Sequence, residues 1–500
     1  KCTKNIEFTD SGAGLGEHFE NLTAVNQSIV AGYEGLTLPG KIGTKESRKA
    51  AAAPKKKIFK NKIRRHLPVG KGPYTVGCVD FMNDHTEEGV FFRLFYPTKK
   101  SDIYVHRQWP LWLPRKQYGH GYVYFLGRNI KTFGKFFNWY VGDVYVPALS
   151  QAPVLKMDNM KYPVIILSHG LGGNRTTYST LCCELTSHGF VVAFQFYIHN
   201  SLVHWGFVAV GENQRTRRKP MRLDRRTYSL SQFFNNNFNN NNTEDSTDSH
   251  SSPESPASSF TPPSPDTPQR HRLQHLNTFN EEWKPFEKVE DIFDFKYRNG
   301  QIHHRSEECS KVLDLLMAMD QGELIHNVFG VVFDTSQFKN CLDLSKASVI
   351  GHSFGGSTCL CTLATDKRFK TGVVVDGWMH PLDEQVYKNV TQPVLMINYE
   401  TFQWLANVKQ MSRFATKTMI TVRGTCHQSI SDFQFIANPV LARIMRVRHS
   451  LSPKLAFGMS AKGMLGYLRK HLGKLCYEVS DLNPATPYSG ILVCTGKGFN

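Results

Sequence analysis

No apolar run in the 500-residue chain is long enough to span a bilayer. No internal repeat is visible, which excludes solenoids and propellers. The eleven cysteines are odd in number, and their spacing matches neither a disulfide scaffold nor a zinc site. They read mostly as buried free thiols, and no metal or other cofactor is expected. Acidic residues are scarce: 42 Asp and Glu stand against 60 Lys and Arg, for a net charge of +18. Such a balance invites a nucleic-acid reading, but no DNA- or RNA-binding motif accompanies it. Much of the excess lies in two segments expected to stay outside the fold. No nucleic-acid partner is expected. Attraction to anionic lipid headgroups fits the charge equally well, and a solvated basic tail without a partner is the plainer alternative.

What is present points to one large core. Hydrophobic residues make up 40% of the chain and aromatics 12%. Strand–helix alternation from residue 160 to 440 indicates a single α/β unit, a mostly parallel central sheet flanked by helices. Residues 1–65 read as a disordered basic tail, 66–475 as the folded domain and 476–500 as a C-terminal tail. A long disordered insert at 203–277 interrupts the domain. Its basic block (Arg215 to Arg226), Asn-rich run (Asn235 to Asn242) and Ser/Pro/Asp-rich tract cannot bury a core. The chain begins at Lys1 rather than Met, so the lack of a leader establishes nothing. A cytoplasmic, peripherally membrane-associated protein and a secreted one are both open. Sequons at Asn21, Asn26, Asn174, Asn241 and Asn389 matter only in the secreted case.

The most informative segment is Val349-Ile-Gly-His-Ser-Phe-Gly-Gly356. Gly351, His352, Ser353 and Gly355 form a G-x-S-x-G nucleophile elbow between a strand pattern (Ala347 to Ile350) and a helix pattern (Gly355 to Ala364). A Cβ at Gly351 or Gly355 would clash in so sharp a turn. A serine hydroxyl needs a base, and the base needs an orienting acid. On α/β-hydrolase sheets they follow in the order Ser, acid, His. Asp376 closes the apolar strand Gly372–Val375, and His427 stands on the loop after Thr418–Val422, which puts both at one sheet edge. Asp366, Asp383 and Asp432 compete for the acid's role. The second requirement is an oxyanion hole. One donor is the backbone N–H of Phe354. The other is assigned to Leu171, in the Gly-rich loop Ser168-His-Gly-Leu-Gly-Gly-Asn174 after the strand Pro163–Leu167.

Residues 108–142 interleave aromatic residues with Arg128, Lys131 and Lys135. Trp112, Leu113, Tyr122, Phe125, Phe136, Phe137 and Trp139 are candidates for docking on a membrane or lipoprotein surface. The alternative is that these rings simply cap the core.

Together these segments resemble the platelet-activating factor acetylhydrolase family, the lipoprotein-associated and intracellular type II serine phospholipases A2. The resemblance is carried by Gly72–Asp80 with Phe92–Pro97, Leu167–Gly172, Ser187–Phe190, Gly351–Gly356, Val375–Met379, Thr425–Gln428 with Asp432-Phe433, and Tyr467–Gly473. It spans roughly 65–200 and 285–475. It implies an α/β-hydrolase fold and calcium-independent hydrolysis of short or oxidised sn-2 acyl esters of phospholipids. In that family's terms Ser353 is the nucleophile, Asp376 the acid and His427 the base, with Leu171 and Phe354 as oxyanion donors. Two departures stand out. Phe194-Gln-Phe-Tyr-Ile-His-Asn200 replaces the family's Glu-His-Arg-Asp-like segment beside the active edge, and the insert has no recognisable counterpart. A carboxylesterase acting on soluble esters and a non-catalytic lipid-binding member stay open as alternatives.

Overall fold

The computed structural model describes residues 65–84, 89–99, 108–125, 129–158, 160–197, 207–211, 279–283, 293–329, 331–444, 447–473 and 492–494. The chain divides into two units, Lys1–Lys62 and Ile63–Asn500. The first, and with it nearly all of the expected tail, lies outside the described residues.

The described residues form twelve strands: β1 (Thr75–Met82), β2 (Phe91–Thr98), β3 (Leu149–Ser150), β4 (Tyr162–Ser168), β5 (Val191–Phe196), β6 (Phe207–Gly211), β7 (Phe279–Trp283), β8 (Leu342–His352), β9 (Thr371–Val375), β10 (Val394–Tyr399), β11 (Lys417–Val422) and β12 (Leu492–Cys494). Ten of them form one sheet in the order β12-β11-β10-β9-β8-β4-β5-β2-β1-β3. The run from β5 to β11 is parallel, whereas β2 and β12 join it antiparallel. All seven residues of β4 are buried, as a parallel strand covered on both faces requires.

The period-two alternation of strands divides the interior into two cores. Ile165 and Leu167 face one, together with Leu181, Leu185, Met464 and Leu468 from the helices Ser179–Ser187 and Pro453–Leu472. Val164 and Ile166 face the other, with Val312, Leu316, Leu360 and Leu363 from Phe295–Gln321 and Phe354–Thr365. Each fully buried Val, Leu or Ile side chain contributes roughly 1.5–3 kcal/mol relative to exposure. The elbow helix is thus packed between a long helix and the sheet, which fixes the sheet edge carrying Ser353.

Two short strands lie within segments expected to be irregular. Within 203–277, β6 is a strand and pairs antiparallel with β7; the rest of the insert lies outside the described residues. Within 476–500, β12 adds to the sheet edge beside β11, with Thr421 opposite Val493. Both stretches are apolar and β-branched enough to pair once a neighbouring edge is offered. Among the described residues, no helix is long and apolar enough to cross a membrane.

Candidate active site

β8 ends at His352, and the helix Phe354–Thr365 starts two residues later, so Ser353 alone makes the turn. Its backbone lies at φ 57°, ψ −119°, a conformation that disfavours non-glycine residues by about 1–3 kcal/mol. Neighbouring strands hold it there. The Ser353 N–H donates to the Val375 carbonyl at 3.0 Å, and the Trp378 N–H donates to the Ser353 carbonyl at 3.1 Å. A Cβ on Gly351 would lie 1.9 Å from the Gly355 carbonyl oxygen, and one on Gly355 would lie 2.2 Å from that of Ser168. The elbow therefore admits only glycine at both places.

Asp376 also sits at positive φ, 48°, where β9 gives way to a loop. Its N–H is anchored to the Ile397 carbonyl at 2.7 Å. One carboxyl oxygen accepts the Tyr399 N–H at 2.8 Å, and the other lies 2.6 Å from His427 Nδ1. Phe402 stacks on the His427 ring with centroids 3.8 Å apart. Burial disfavours charge on both partners: it raises the Asp376 carboxyl and pushes the His427 imidazole down to about 3. Their short contact opposes both shifts, because the shared Nδ1 proton compensates the carboxylate. The state that follows is a neutral imidazole with its proton on Nδ1 and Nε2 left as a base.

The competing acids are committed elsewhere. Asp366 is held by Arg368 and Ser310. Asp383 caps the helix Glu384–Asn389 and faces His303 at 2.7 Å. Asp432 accepts the N–H groups of Ser179 and Thr180 and the Trp112 indole N–H, at 2.8, 2.9 and 3.0 Å. It braces a helix start and meets no base.

The loop after β4 folds over the serine. The Gly173 N–H donates to the Gly170 carbonyl at 3.1 Å, and Gly172 takes φ 73° at the position of this turn that demands it. A Cβ on Gly170 would lie 3.0 Å from the Ser353 Cβ, so the loop carrying Leu171 reaches the Ser353 side chain. Phe354 opens its helix, which leaves its N–H without an intrahelical partner. Such a pair of amides can bind a developing oxyanion. The Asn174 sequon is 3% exposed. Its side chain donates to Tyr122 Oη at 2.7 Å and accepts from the Thr176 N–H at 2.9 Å, so it is unavailable to a glycan.

The departure at 194–200 supports this loop from beneath. Tyr197 Oη donates to Ser168 Oγ at 2.6 Å. Arg305, 1% exposed, stacks over the Tyr197 ring at 3.7 Å and donates to Ser168 Oγ and to the His169 carbonyl. Cys309 Sγ donates to Gln195 Oε1 at 3.0 Å. Residues 198–200 lie outside the described residues. Sequence reading gave no role to Tyr178, Tyr197, Arg305 or Phe402. No local signal marks them, because their partners lie far away in the chain.

The docking candidates divide. Trp112, Leu113 and Tyr122 are buried in the core, which corrects their assignment to a surface. Trp112 stacks on Tyr122 at 6.0 Å and spends its indole N–H on Asp432. Phe137 is half-buried and packs against the same core. Phe125, Phe136 and Trp139 are 42%, 51% and 76% exposed, with Phe133 beside them at 51%.

His352, Asp376 and His427 bring potential metal-ligating atoms within 4.8 Å of one another. Both His352 nitrogens and both Asp376 oxygens already hold hydrogen bonds. Only His427 Nε2 is left over, which suits proton transfer rather than a metal cage.

Comparison with known proteins agrees with this architecture. The sequence pattern of a family described as platelet-activating factor acetylhydrolase, isoform II, matches residues 59–221 and 257–485. It leaves 222–256 unmatched, a narrower span than the insert read from composition. The platelet-activating factor acetylhydrolase of Canis lupus familiaris is 33% identical over 411 residues, covering 81% of this chain and 77% of that one. The protein of the same name from Bos taurus is 31% identical over 414 residues, covering 81% and 77%. Among solved structures, a ferulic acid esterase from Streptomyces cinnamoneus superposes with a TM-score of 0.52 at 13% identity, covering 86% of this chain and 99% of that chain. That likeness establishes the α/β-hydrolase fold.

Proposed function

The chain belongs to the platelet-activating factor acetylhydrolase isoform II family, and from that premise we propose that it hydrolyses the sn-2 acetyl, short or oxidised acyl ester of platelet-activating factor and related phospholipids. The observation that carries this reading is the 2.6 Å contact of His427 Nδ1 with buried Asp376, at the sheet edge where Ser353 is held in a strained turn. His427 Nε2 takes the Ser353 proton as Oγ bonds to the sn-2 carbonyl carbon. The Leu171 and Phe354 amides receive the negative charge on the carbonyl oxygen. Collapse breaks the bond to the glycerol oxygen, which leaves as lyso-phospholipid with the proton from His427. Water then gives a proton to His427 Nε2 as its oxygen bonds to the acyl carbon, and collapse breaks the bond to Ser353 Oγ, which takes the proton back from His427 as the carboxylic acid leaves and ionises. Asp376 holds the imidazole tautomer and stabilises the imidazolium. No step calls on calcium.

The exposed rings support action at a lipid surface. Phe125 adjoins the oxyanion loop: a Cβ on Gly172 would lie 2.7 Å from its ring. Phe136 and Trp139, with ring centroids 5.9 Å apart, are exposed as well, and so are Lys131 and Lys135. Apolar rings flanked by lysines fit the interfacial layer of an anionic bilayer or a lipoprotein.

Purified chain and a Ser353→Ala control are treated with a fluorophosphonate probe, and acetate release from a 2-acetyl phospholipid is followed. Labelling confined to the wild type, with acetate release, is the expected result. Labelling without acetate release identifies an esterase of another specificity. Folded protein that does not label overturns the enzymatic reading.

A further inference from the structure

We propose that Tyr178 and His352 are positioning residues that lock the oxyanion loop and the general base into one spacing. The inference rests on the reading of Ser353 and His427 given above. His352 Nε2 lies 2.9 Å from the His427 carbonyl oxygen. A carbonyl only accepts, so Nε2 carries a proton. Burial keeps the imidazole neutral, so Nδ1 is an acceptor. Tyr178 Oη lies 2.7 Å from that nitrogen and donates to it. The Tyr178 oxygen is then free to accept, and the Gly170 N–H reaches it at 3.4 Å. Each proton has one place: Gly170 to Tyr178, Tyr178 to His352, His352 to the backbone of His427.

The chain starts one residue before Leu171 and ends on the base itself. Tyr178 and His352 are 3% and 4% exposed, so water does not compete for these bonds. The fit is close, since a Cβ on Gly170 would lie 3.3 Å from His352 Nδ1. Three segments far apart in sequence, at 170, 352 and 427, are thereby tied behind the reacting atoms. The transition state needs the amide donor and the base in place together, and small misplacements of either are expensive in rate. Neither Tyr178 nor His352 is required to touch the substrate.

The full chain is assayed with p-nitrophenyl acetate and with a 2-acetyl phospholipid, as wild type, Tyr178→Phe, His352→Gln and the double variant. Tyr178→Phe deletes one hydroxyl from a buried ring. His352→Gln removes the ring nitrogen that accepts from Tyr178, and so breaks the same bond as Tyr178→Phe, while it keeps a donor for the His427 carbonyl. The expected result is a fall in kcat of roughly 10- to 100-fold for Tyr178→Phe, with KM and Tm near wild type. The double variant should lose no more than the weaker single variant, because both cut one chain. A Tyr178→Phe variant within twofold of wild-type kcat overturns the inference. So do losses that multiply in the double variant, or a kcat that falls only with the folded fraction. Should His352→Gln not fold, Tyr178→Phe decides alone. A folded wild type that neither labels with the fluorophosphonate nor hydrolyses ester overturns the Ser353 reading and this inference with it. An active wild type beside an unaffected Tyr178→Phe overturns only the inference.

Discussion

Asp376 and Asp432 are both almost fully buried, at 1% and 0% exposure, and burial raises both carboxyls. Their surroundings separate them. Asp376 receives one backbone N–H and spends its second oxygen on an imidazole. Asp432 receives three N–H groups and faces no titratable partner across those bonds. A carboxyl whose oxygens are taken up by fixed N–H donors can brace a helix but faces no base with which to exchange a proton. One left with a single open oxygen against a histidine can govern that ring's proton. What faces the carboxyl, more than its depth, distinguishes a brace from a candidate for the catalytic acid.

The largest expected effect tests the Asp376 side. Asp376→Asn keeps shape and burial but sets an amide N–H2 or a weaker acceptor against Nδ1, which upsets the tautomer. We expect kcat on a 2-acetyl phospholipid to fall by about 10⁴, with little change in Tm. Ordinary turnover in that variant would remove Asp376 from the mechanism and break the comparison.

Asp432→Asn should do the reverse. Above pH 7, where the wild-type carboxyl is ionised, one of the three donors would face an N–H2 group in the variant, so Tm falls by the equivalent of about 1–3 kcal/mol, while kcat per folded molecule stays at wild type. Stability against pH sharpens the point. Burial pushes Asp432 up to about 7 in the folded chain, against about 3.9 when unfolded. Between these values the folded state keeps the proton and the unfolded state releases it. The group's contribution is therefore fully present below about pH 4 and is lost as pH rises to 7, at up to about 1.4 kcal/mol per pH unit. Chemical denaturation of wild type and Asp432→Asn across pH 4–7 should show this slope only in the wild type. Parallel curves would mean that Asp432 is ionised throughout and held by its donors.

The elbow was legible in the sequence because its demands are local. Two glycines, a serine and a strand-to-helix change of period leave few other structures. Asp376 and His427 were legible as strand ends in the expected order. Nothing local distinguishes Asp432, whose donors at Ser179 and Thr180 lie about 250 positions away. Tyr178, Tyr197 and Arg305 were illegible for the same reason, since their meaning comes from close packing between remote segments. The aromatic stretch from 108 to 142 was half legible. Its composition announced large apolar area, but the face each ring presents is set by the helices Lys116–Phe125 and Lys135–Val141 once they dock.

The smallest expected effect carries the comparison to two tryptophans of that stretch. Trp112 is buried and donates its indole N–H to Asp432; Trp139 is 76% exposed. Burying part of an exposed ring in the interfacial layer contributes roughly 1–2 kcal/mol, which is about a tenfold change in partition. Trp139→Ala should therefore bind about tenfold less to anionic phosphatidylcholine/phosphatidylserine vesicles in a sedimentation assay. Its kcat on p-nitrophenyl acetate and its Tm should match wild type. Trp112→Phe, which keeps most of the ring but removes one of the two donors to an Asp432 oxygen, should lower Tm and leave vesicle partition of the folded protein unchanged. Equal vesicle binding by wild type and Trp139→Ala would assign the exposed rings no part in docking. The inner half of the stretch would then be its only working half, as the support of Asp432 and the helix it braces.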